Sequence, residues 1–247
     1  DVYKRQQVIK HIARRLGYSI KPLYKSNDPN DYFGMVFSRF NVGLVIDCGA
    51  NIGHFYRQVR GAGYSGRIIC VEPNPECCTV LNEIIQQDGK AELFGNALGS
   101  DTGEASLNVA GDTDGLTSLH DFTDLAKKRF GKTAKVTKQV AVEVKTLETF
   151  LDELSVPRDL PIFLKTDTQG HDLAVLKGAG KRIEQIFGIS IEMAVNHLYQ
   201  NSASHWDVVD FVKKNGFEPY DFSIISRDFN GDLLEYDALF VRADVKP

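Results

Sequence analysis

The sequence predicts a single α/β domain built on a mostly parallel sheet. Three observations carry that expectation. Short apolar, β-branched runs alternate with helical patterns along most of the 247 residues. A glycine-bearing turn, Val45-Ile46-Asp47-Cys48-Gly49-Ala50-Asn51-Ile52-Gly53, joins the first such run to the helix after it. The composition is that of a globular chain, 43% hydrophobic and 25% charged, with no internal repeat and no low-complexity linker. A chain of this length buries roughly 70–75% of its unfolded surface without a covalent staple.

The elements follow in order. Residues 3–16 place Val8, Ile9, Ile12, Ala13 and Leu16 at helical spacing. This predicts a basic amphipathic helix docked on the domain; a membrane-surface helix is the alternative, but the apolar side lacks Trp and Phe. Residues 17–40 read as a loop-rich lead-in broken by Pro22, Pro29 and Gly34. The domain proper is expected over 41–247, with 1–40 as an N-terminal helix and lead-in. Leu44–Ile46 is a strand, and a helix runs from Ile52 to about Arg60. Ile68–Val71 is the next strand, and Pro75 opens a helix to about Gln87. Ala91–Ala97 reads as a third strand.

The middle of the chain breaks this rhythm. Ala105–Ala110 and Val136–Val144 carry strand signals around a polar stretch, which reads as a β insertion with a loop that covers the site. Lys127, Lys128, Arg129, Lys132, Lys135 and Lys138 form a run with no acid between them. It is either a solvated face or a patch for an anionic group on a substrate. The α/β pattern then resumes: helix 147–154, strand 162–164, and helix 171–185 with glycine interruptions at Gly178 and Gly180. Strand 187–193, helix 204–215 and two late strands near 217–225 and 234–242 close the series.

Charge and cysteine usage narrow the function. The net charge is −4 and the pI is about 5.9, which counts against sequence-independent nucleic-acid binding. Cys48, Cys70, Cys77 and Cys78 make no C-x-x-C pair and sit in apolar stretches, as reduced buried thiols do. No apolar run approaches the ~18 residues of a membrane span, and no signal peptide is legible. A cytoplasmic protein is the expectation.

The turn carries the chemistry. Glycines let a backbone bend sharply and approach a ligand, and the following helix start offers N–H donors. A dinucleotide fingerprint is G-x-G-x-x-G, whose close glycines admit a pyrophosphate. Here the spacing is Gly49 to Gly53, and Asp47 precedes both. A carboxylate there repels phosphate and suits a cation. S-adenosylmethionine, with an ammonium, a sulfonium and no phosphate, is such a ligand. Glu72 ends the second strand, where a carboxylate can accept both hydroxyls of a ribose.

Four blocks then resemble the FkbM family of methyltransferases: VIDCGANIG (45–53), GYSGRIICVEPNP (63–75), NALGSDTGEASL (96–107) and FLKTDTQGHDLAVLKGA (163–179), the last followed by ISIEM (189–193). The resemblance spans about Leu44 to Arg242. It implies a Rossmann-like, seven-stranded methyltransferase sheet whose last strand is antiparallel, with helices on both faces. It implies methyl transfer from S-adenosylmethionine, usually to a hydroxyl of a sugar, glycolipid or natural product. It also implies cofactor roles: Asp47, Gly49, Asn51 and Gly53 along the methionine part, Glu72 on the ribose, Pro73 and Asn74 flanking the adenosine, and Asn96, Ala97 and Leu98 by the adenine. The fourth block departs from the family pattern, with Gln169 where a Glu is common, then His171 and Asp172.

An alcohol is a poor nucleophile, so a base or a metal should assist it. Asp167 is the first candidate, as base, orienter or metal ligand, with a helix N-cap as the alternative. His171 is a second base candidate or a cap histidine. Glu192 ends a strand in an apolar run, as a site residue or a structural ion pair. Lys165, Ser118 and His197 are candidate substrate contacts, and His120 lies in the covering loop. A divalent ion, if used, would fall to Asp167, Glu192 and His197. The expected acceptor is a small molecule or glycan, anionic if the basic run contacts it. The rival readings are an NAD(P)-dependent oxidoreductase, a non-catalytic cofactor-binding protein and a nucleic-acid methyltransferase, the last disfavoured by the acidic charge.

Overall fold

The computed structural model describes residues 29–110, 114–228 and 230–245, together with Ala13. The predicted helix over 3–16 otherwise lies outside the described residues. The first described helix, α1 (Pro29–Arg39), falls in the stretch expected to be loop-rich. Both supposed breakers are tolerated there. Proline suits a first helical turn, where its missing N–H has no partner to lose. Gly34 lies where a Cβ would come within 2.7 Å of the Ala62 carbonyl oxygen, so the glycine permits close packing. Phe33 and Phe37 then bury edge-on against Phe163 in the sheet.

The main sheet is built from β1 (Leu44–Cys48), β2 (Arg67–Val71), β3 (Ala91–Phe94), β7 (Ile162–Thr166), β8 (Ile186–Ala194), β9 (Phe217–Arg227) and β10 (Leu233–Arg242). Their order is β3-β2-β1-β7-β8-β10-β9. β10 alone runs antiparallel to both of its neighbours. All five residues of β1 are buried, as a central strand covered on both faces requires. Helices α1, α2 (His54–Gly61) and α3 (Pro75–Ile85) cover one face around Val45, Ile68 and Phe163. Helices α5 (Leu147–Glu153), α6 (Asp172–Gly178) and α7 (His205–Lys214) cover the other around Ile46, Leu164 and Ile189.

The expected strand over 91–97 is two strands. Gly95 and Asn96 break it, and β4 (Ala97–Gly99) leaves the main sheet for a second one, ordered β4-β6-β5, with β5 (Gly103–Ala110) and β6 (Val136–Thr146). The apolar run reads through because both halves are strands; only their partners differ. Between β5 and β6 the polar stretch holds a helix, α4 (Asp124–Phe130), capped by Thr123. Helix α6 packs on β4 so closely that a Cβ on Gly178 would lie 2.0 Å from the Gly99 carbonyl oxygen. The helix stops there, and a 3-10 turn, Gly180–Gln185, continues the chain.

The chain runs outward from β1 to β3 and later returns to β7 on the other side of β1. That reversal is a topological switch point, where open α/β sheets bind ligands beyond the carboxyl ends of their strands. Cys48 is in register with both Val71 and Thr166. The register brings Asp47, Glu72, Lys165 and Asp167 to one edge. No described helix is long and apolar enough to cross a membrane.

Candidate active site

A cleft of about 380 Å³ opens at that edge, within the size range of small-molecule sites. Its floor is the β1–α2 turn. Gly49 has φ +78°, and a Cβ on it would lie 2.0 Å from the Asp167 carbonyl oxygen. Only glycine lets the β1 and β7 loops meet this closely. The turn's amides are anchored: Gly49 N and Ala50 N both donate to the Val71 carbonyl. Asn51 and Gln169 both hold left-handed backbone, at φ +48° and +51°. Non-glycine residues rarely do so, and they concentrate at functional sites.

Glu72 stands at the end of β2, 6% exposed. Its Oε2 accepts from Asn51 N (2.7 Å) and its Oε1 from Asn74 N (2.8 Å). Burial pushes its carboxyl up to about 7, against the pull of those two amides. Each oxygen keeps lone-pair capacity toward the cleft, which is what a pair of ribose hydroxyls needs. Pro73, Ala97, Leu98, Leu107 and Leu119 give the adjoining wall an apolar surface, and Asn96 a polar one.

The opposite end is a charge cluster. The Lys165 ammonium lies 3.2 Å from Asp167 Oδ2 and 3.5 Å from Asp47 Oδ1. Asp47 is fully buried, and neither of its oxygens accepts a hydrogen bond among the described residues. Burial raises its pKa, and Lys165 opposes that. Burial also disfavours charge on Lys165, but Asp167 and Asp47 outweigh it and keep the ammonium protonated. Asp167 likewise resists burial, because Lys165 holds its carboxyl below the ordinary range. Glu192 is pushed up to about 10, first by burial and then by the Asp167 charge. Lys165 thus holds the Asp167 carboxyl down, while burial and the neighbouring Asp167 push the Glu192 carboxyl up. Gln169 Nε2 ties them together, donating to Asp167 Oδ1 (2.9 Å) and Glu192 Oε2 (3.4 Å). Tyr199 fixes that amide by donating to Gln169 Oε1 (2.7 Å).

The β5–β6 insertion roofs the cleft. Ser118 is buried and its Oγ donates to the Gln169 carbonyl (2.7 Å). His120 Nε2 lies 3.1 Å from His171 Nδ1. Burial and His120 depress the His171 pKa to about 4, so the ring is neutral at pH 7. The contact with His120 places His171 where the roof meets the lining of the cleft.

The expected residues thus divide. Gly49, Asn51, Glu72, Pro73, Asn96, Ala97, Ser118, Lys165, Asp167, His171 and Glu192 line the cleft. Asp47 and Gly53 do not. Asp47 is shielded by its own strand and reaches the site only through Lys165, and Gly53 packs where a Cβ would meet Leu81 at 2.6 Å. His197 is exposed in a loop and borders a smaller adjoining cavity instead. Among the described residues no group of three or more His, Cys, Asp and Glu is placed to hold a metal ion, so Asp167, Glu192 and His197 do not form the cage suggested for them. None of the six residues of the basic run lines the cleft. Arg129 binds Glu235 (3.0 Å), Lys127 faces Asp124 and Lys138 faces Glu76. The run thus lies outside the lining of the cleft, with three of its six residues in ion pairs.

Three site residues escaped the sequence reading. Gln169 was noticed only as a departure. Tyr199 gave no local signal. Glu235, which lines the cleft, could have been found as an acid near the start of the strand LLEYDALFVR, in which Asp237 sits directly across from Glu192.

The cleft suits the cofactor expected from the turn. Among the described residues its only lining lysine is already paired to two carboxylates, and Glu72 is a ready ribose acceptor. Solved structures that the chain resembles at low identity include three methyltransferases or methylases. A precorrin-6y C5,15-methyltransferase from Geobacter metallireducens shares 10% identity over 91% of this chain and 93% of its own, with a TM-score of 0.46. A magnesium protoporphyrin IX methyltransferase from Synechocystis, solved with bound S-adenosylmethionine, shares 10% over 87% and 79%, at 0.44. An rRNA methylase from Streptococcus thermophilus shares 9% over 90% and 98%, at 0.45. No curated protein matches the chain in sequence. The family model for the methyltransferase FkbM domain matches residues 47–219. That span runs from the buried Asp47 through the cleft residues to β9 and takes in well over half of the chain, which therefore belongs to the FkbM family of S-adenosylmethionine-dependent methyltransferases.

Proposed function

We propose that the protein is an O-methyltransferase whose acceptor is a hydroxyl of a neutral sugar or glycoconjugate. The observation that carries this reading is the Asp167–Glu192 pair: two carboxyls tied together by Gln169 Nε2 at the carboxyl ends of β7 and β8, facing the cleft, with the Lys165 ammonium 3.2 Å from Asp167. Bound S-adenosylmethionine supplies an electrophilic methyl group on a positively charged sulfur. Glu72, with the Gly49 turn, would hold the ribose and fix the depth of the cofactor. Lys165 and Gln169 hold the two oxygens of Asp167, so its remaining lone pairs aim at a fixed place. An acceptor hydroxyl donating to Asp167 is thereby oriented for in-line attack.

Asp167 is a weak base, because Lys165 lowers its proton affinity. A weak base suffices. As the carbon–oxygen bond forms, the acceptor oxygen takes on positive charge and its proton becomes strongly acidic. Asp167 takes that proton at this stage, and Lys165 stays charged throughout. The carboxylates of Asp167 and Glu235 at this end disfavour a phosphate or uronate acceptor. Neutral hydroxyls fit the same donors and acceptors without that penalty.

The test uses S-adenosylmethionine carrying a carbon-13 methyl group and a panel of neutral glycosides, amines and phenols. The carbon shift of the product distinguishes a methyl ether from N-methyl or C-methyl. Asp167→Asn is expected to lower kcat by about 10²–10⁴-fold while leaving S-adenosylhomocysteine affinity nearly unchanged. Turnover confined to amine or carbon acceptors, or an Asp167→Asn enzyme with full kcat, overturns the reading.

A further inference from the structure

The carboxyl rim of the sheet carries a row of aromatic rings that the transfer step does not use. Trp206, the chain's only tryptophan, is 70% exposed at the start of α7. The His205 ring lies 4.6 Å from it, centroid to centroid. His205 Nδ1 is 3.3 Å from the Tyr236 hydroxyl. The Phe222 ring stands edge-on to Tyr236 at 6.0 Å, and Phe222 is itself 55% exposed. Side chains of this size are seldom left so open on a surface without a partner.

The row is continuous with the site. His205 and Glu235 border the smaller cavity, about 50 Å³, and that cavity shares Asp167, Gln169 and Glu192 with the main cleft. Fifty cubic ångströms holds a few waters or one exocyclic group. A path therefore leads from the candidate base, past Glu235, to the aromatic row. The row also has a polar rim. The Ser226 hydroxyl donates to Glu235 (2.6 Å), and Arg129 donates to both.

We infer that this row is an acceptor subsite, on which a sugar unit next to the methylated one stacks across Trp206 and Tyr236. The inference rests on the O-methyltransferase reading and adds that the acceptor is an oligosaccharide or glycoside larger than one sugar. A pyranose ring has a face of C–H bonds, weakly positive, and an edge of hydroxyls. The C–H face matches the negative face of an aromatic ring, and the hydroxyl edge needs hydrogen-bond partners. Trp206 and Tyr236 offer the first; His205, Ser226 and Glu235 offer the second. A lipid would use the apolar surface alone and make nothing of the polar rim of Ser226, Glu235 and Arg129, whose remaining lone pairs and N–H groups suit hydroxyls.

An immobilised panel of glycans, probed with the full chain saturated with S-adenosylhomocysteine, tests this directly. Wild type is expected to retain glycans of two or more sugars. Trp206→Ala should weaken that binding by about tenfold, the upper end of what one aromatic stack supplies. Its S-adenosylhomocysteine affinity should stay unchanged, which also shows that the variant folds. Because Trp206 is alone, its fluorescence should shift on adding a retained glycan and not on adding the corresponding monosaccharide. Glycan binding that Trp206→Ala leaves intact overturns the subsite while O-methylation of the same glycan would leave the enzyme reading standing. No glycan binding by wild type also overturns it. Trp206 emission that instead changes on diluting the protein alone overturns it in favour of a second copy of the chain on the row.

Discussion

Replacing Glu72 by Gln removes the charge from the ribose end and little else. In the native site each carboxylate oxygen accepts one backbone N–H, from Asn51 and from Asn74. Each oxygen has room for one more donor. A hydrogen bond to a charged acceptor contributes about 1.5–3 kcal/mol, and to a neutral one about 0.5–1.5 kcal/mol. The amide keeps one acceptor oxygen and turns its NH2 group against the other backbone donor. One charged bond to the cofactor is lost and the second becomes neutral, together about 3 kcal/mol, or roughly 150-fold in Kd. The pH dependence sharpens the test. The carboxyl titrates at about 7 in the free protein, and only its ionised form accepts both hydroxyls. Wild-type affinity should therefore rise up to about tenfold from pH 6 to pH 8, while the Glu72→Gln affinity stays flat. Isothermal titration with S-adenosylhomocysteine at the two pH values measures both quantities. A variant within threefold of wild type, or a wild-type affinity indifferent to pH, would refute the assignment of Glu72 to the ribose.

Two further outcomes follow from the same geometry. Gly49→Ala sets a methyl group against the Asp167 carbonyl at a left-handed φ, so a loss of at least ~3 kcal/mol is expected, or about 6–12 °C in Tm by calorimetry; an unchanged Tm would mean that the β1 and β7 loops do not meet as described. His171, held near 4 against ~6.5 when unfolded, binds fewer protons folded than unfolded, so its stabilisation is complete above pH ~6.5 and disappears as pH falls toward 4, by about 3 kcal/mol in all. Urea unfolding at pH 6.5 and 4.5 should therefore show a shallower loss for His171→Gln than for wild type, and equal losses would place the titrating group elsewhere.

The parts of the site legible in the sequence are those set by local chemistry. The turn from Asp47 to Gly53 announces itself because a strand, an acid and two glycines sit within one stretch. Glu72 is legible because it ends a strand at the right distance. The two late strands were expected, and β10 lies antiparallel as the family resemblance implied. What stayed hidden depends on pairing across the chain. The His120–His171 and Ser118–Gln169 contacts each join residues 51 apart. The basic run between 127 and 138 read as a solvated face or an anion patch because two of its counter-ions are distant in sequence, Glu235 lying 106 residues from Arg129 and Glu76 62 residues from Lys138. Helix α1 was misread for a different reason. Proline and glycine are helix breakers only in a helix interior without packing demands, and here one is at the start and the other at a close contact.

The position of Asp47 in this arrangement explains why an acid in the turn matters without touching the cleft. Lys165 stands between Asp47 and Asp167, one positive charge against two negative ones. Lys165 is thereby shared between two carboxyls, and it opposes the rise that burial imposes on the Asp47 carboxyl. On the proposed reading the Asp167 carboxylate faces a sulfonium before transfer and is neutralised by the acceptor's proton as the sulfonium disappears. A reaction that removes opposite charges from a site is favoured by a low dielectric, because water would have stabilised the charged start more than the neutral end. The roof made by Ser118, His120 and the rest of the β5–β6 insertion provides that shielding. The buried acid of the turn and the roof over the cleft therefore serve one electrostatic purpose, although they lie on opposite sides of it.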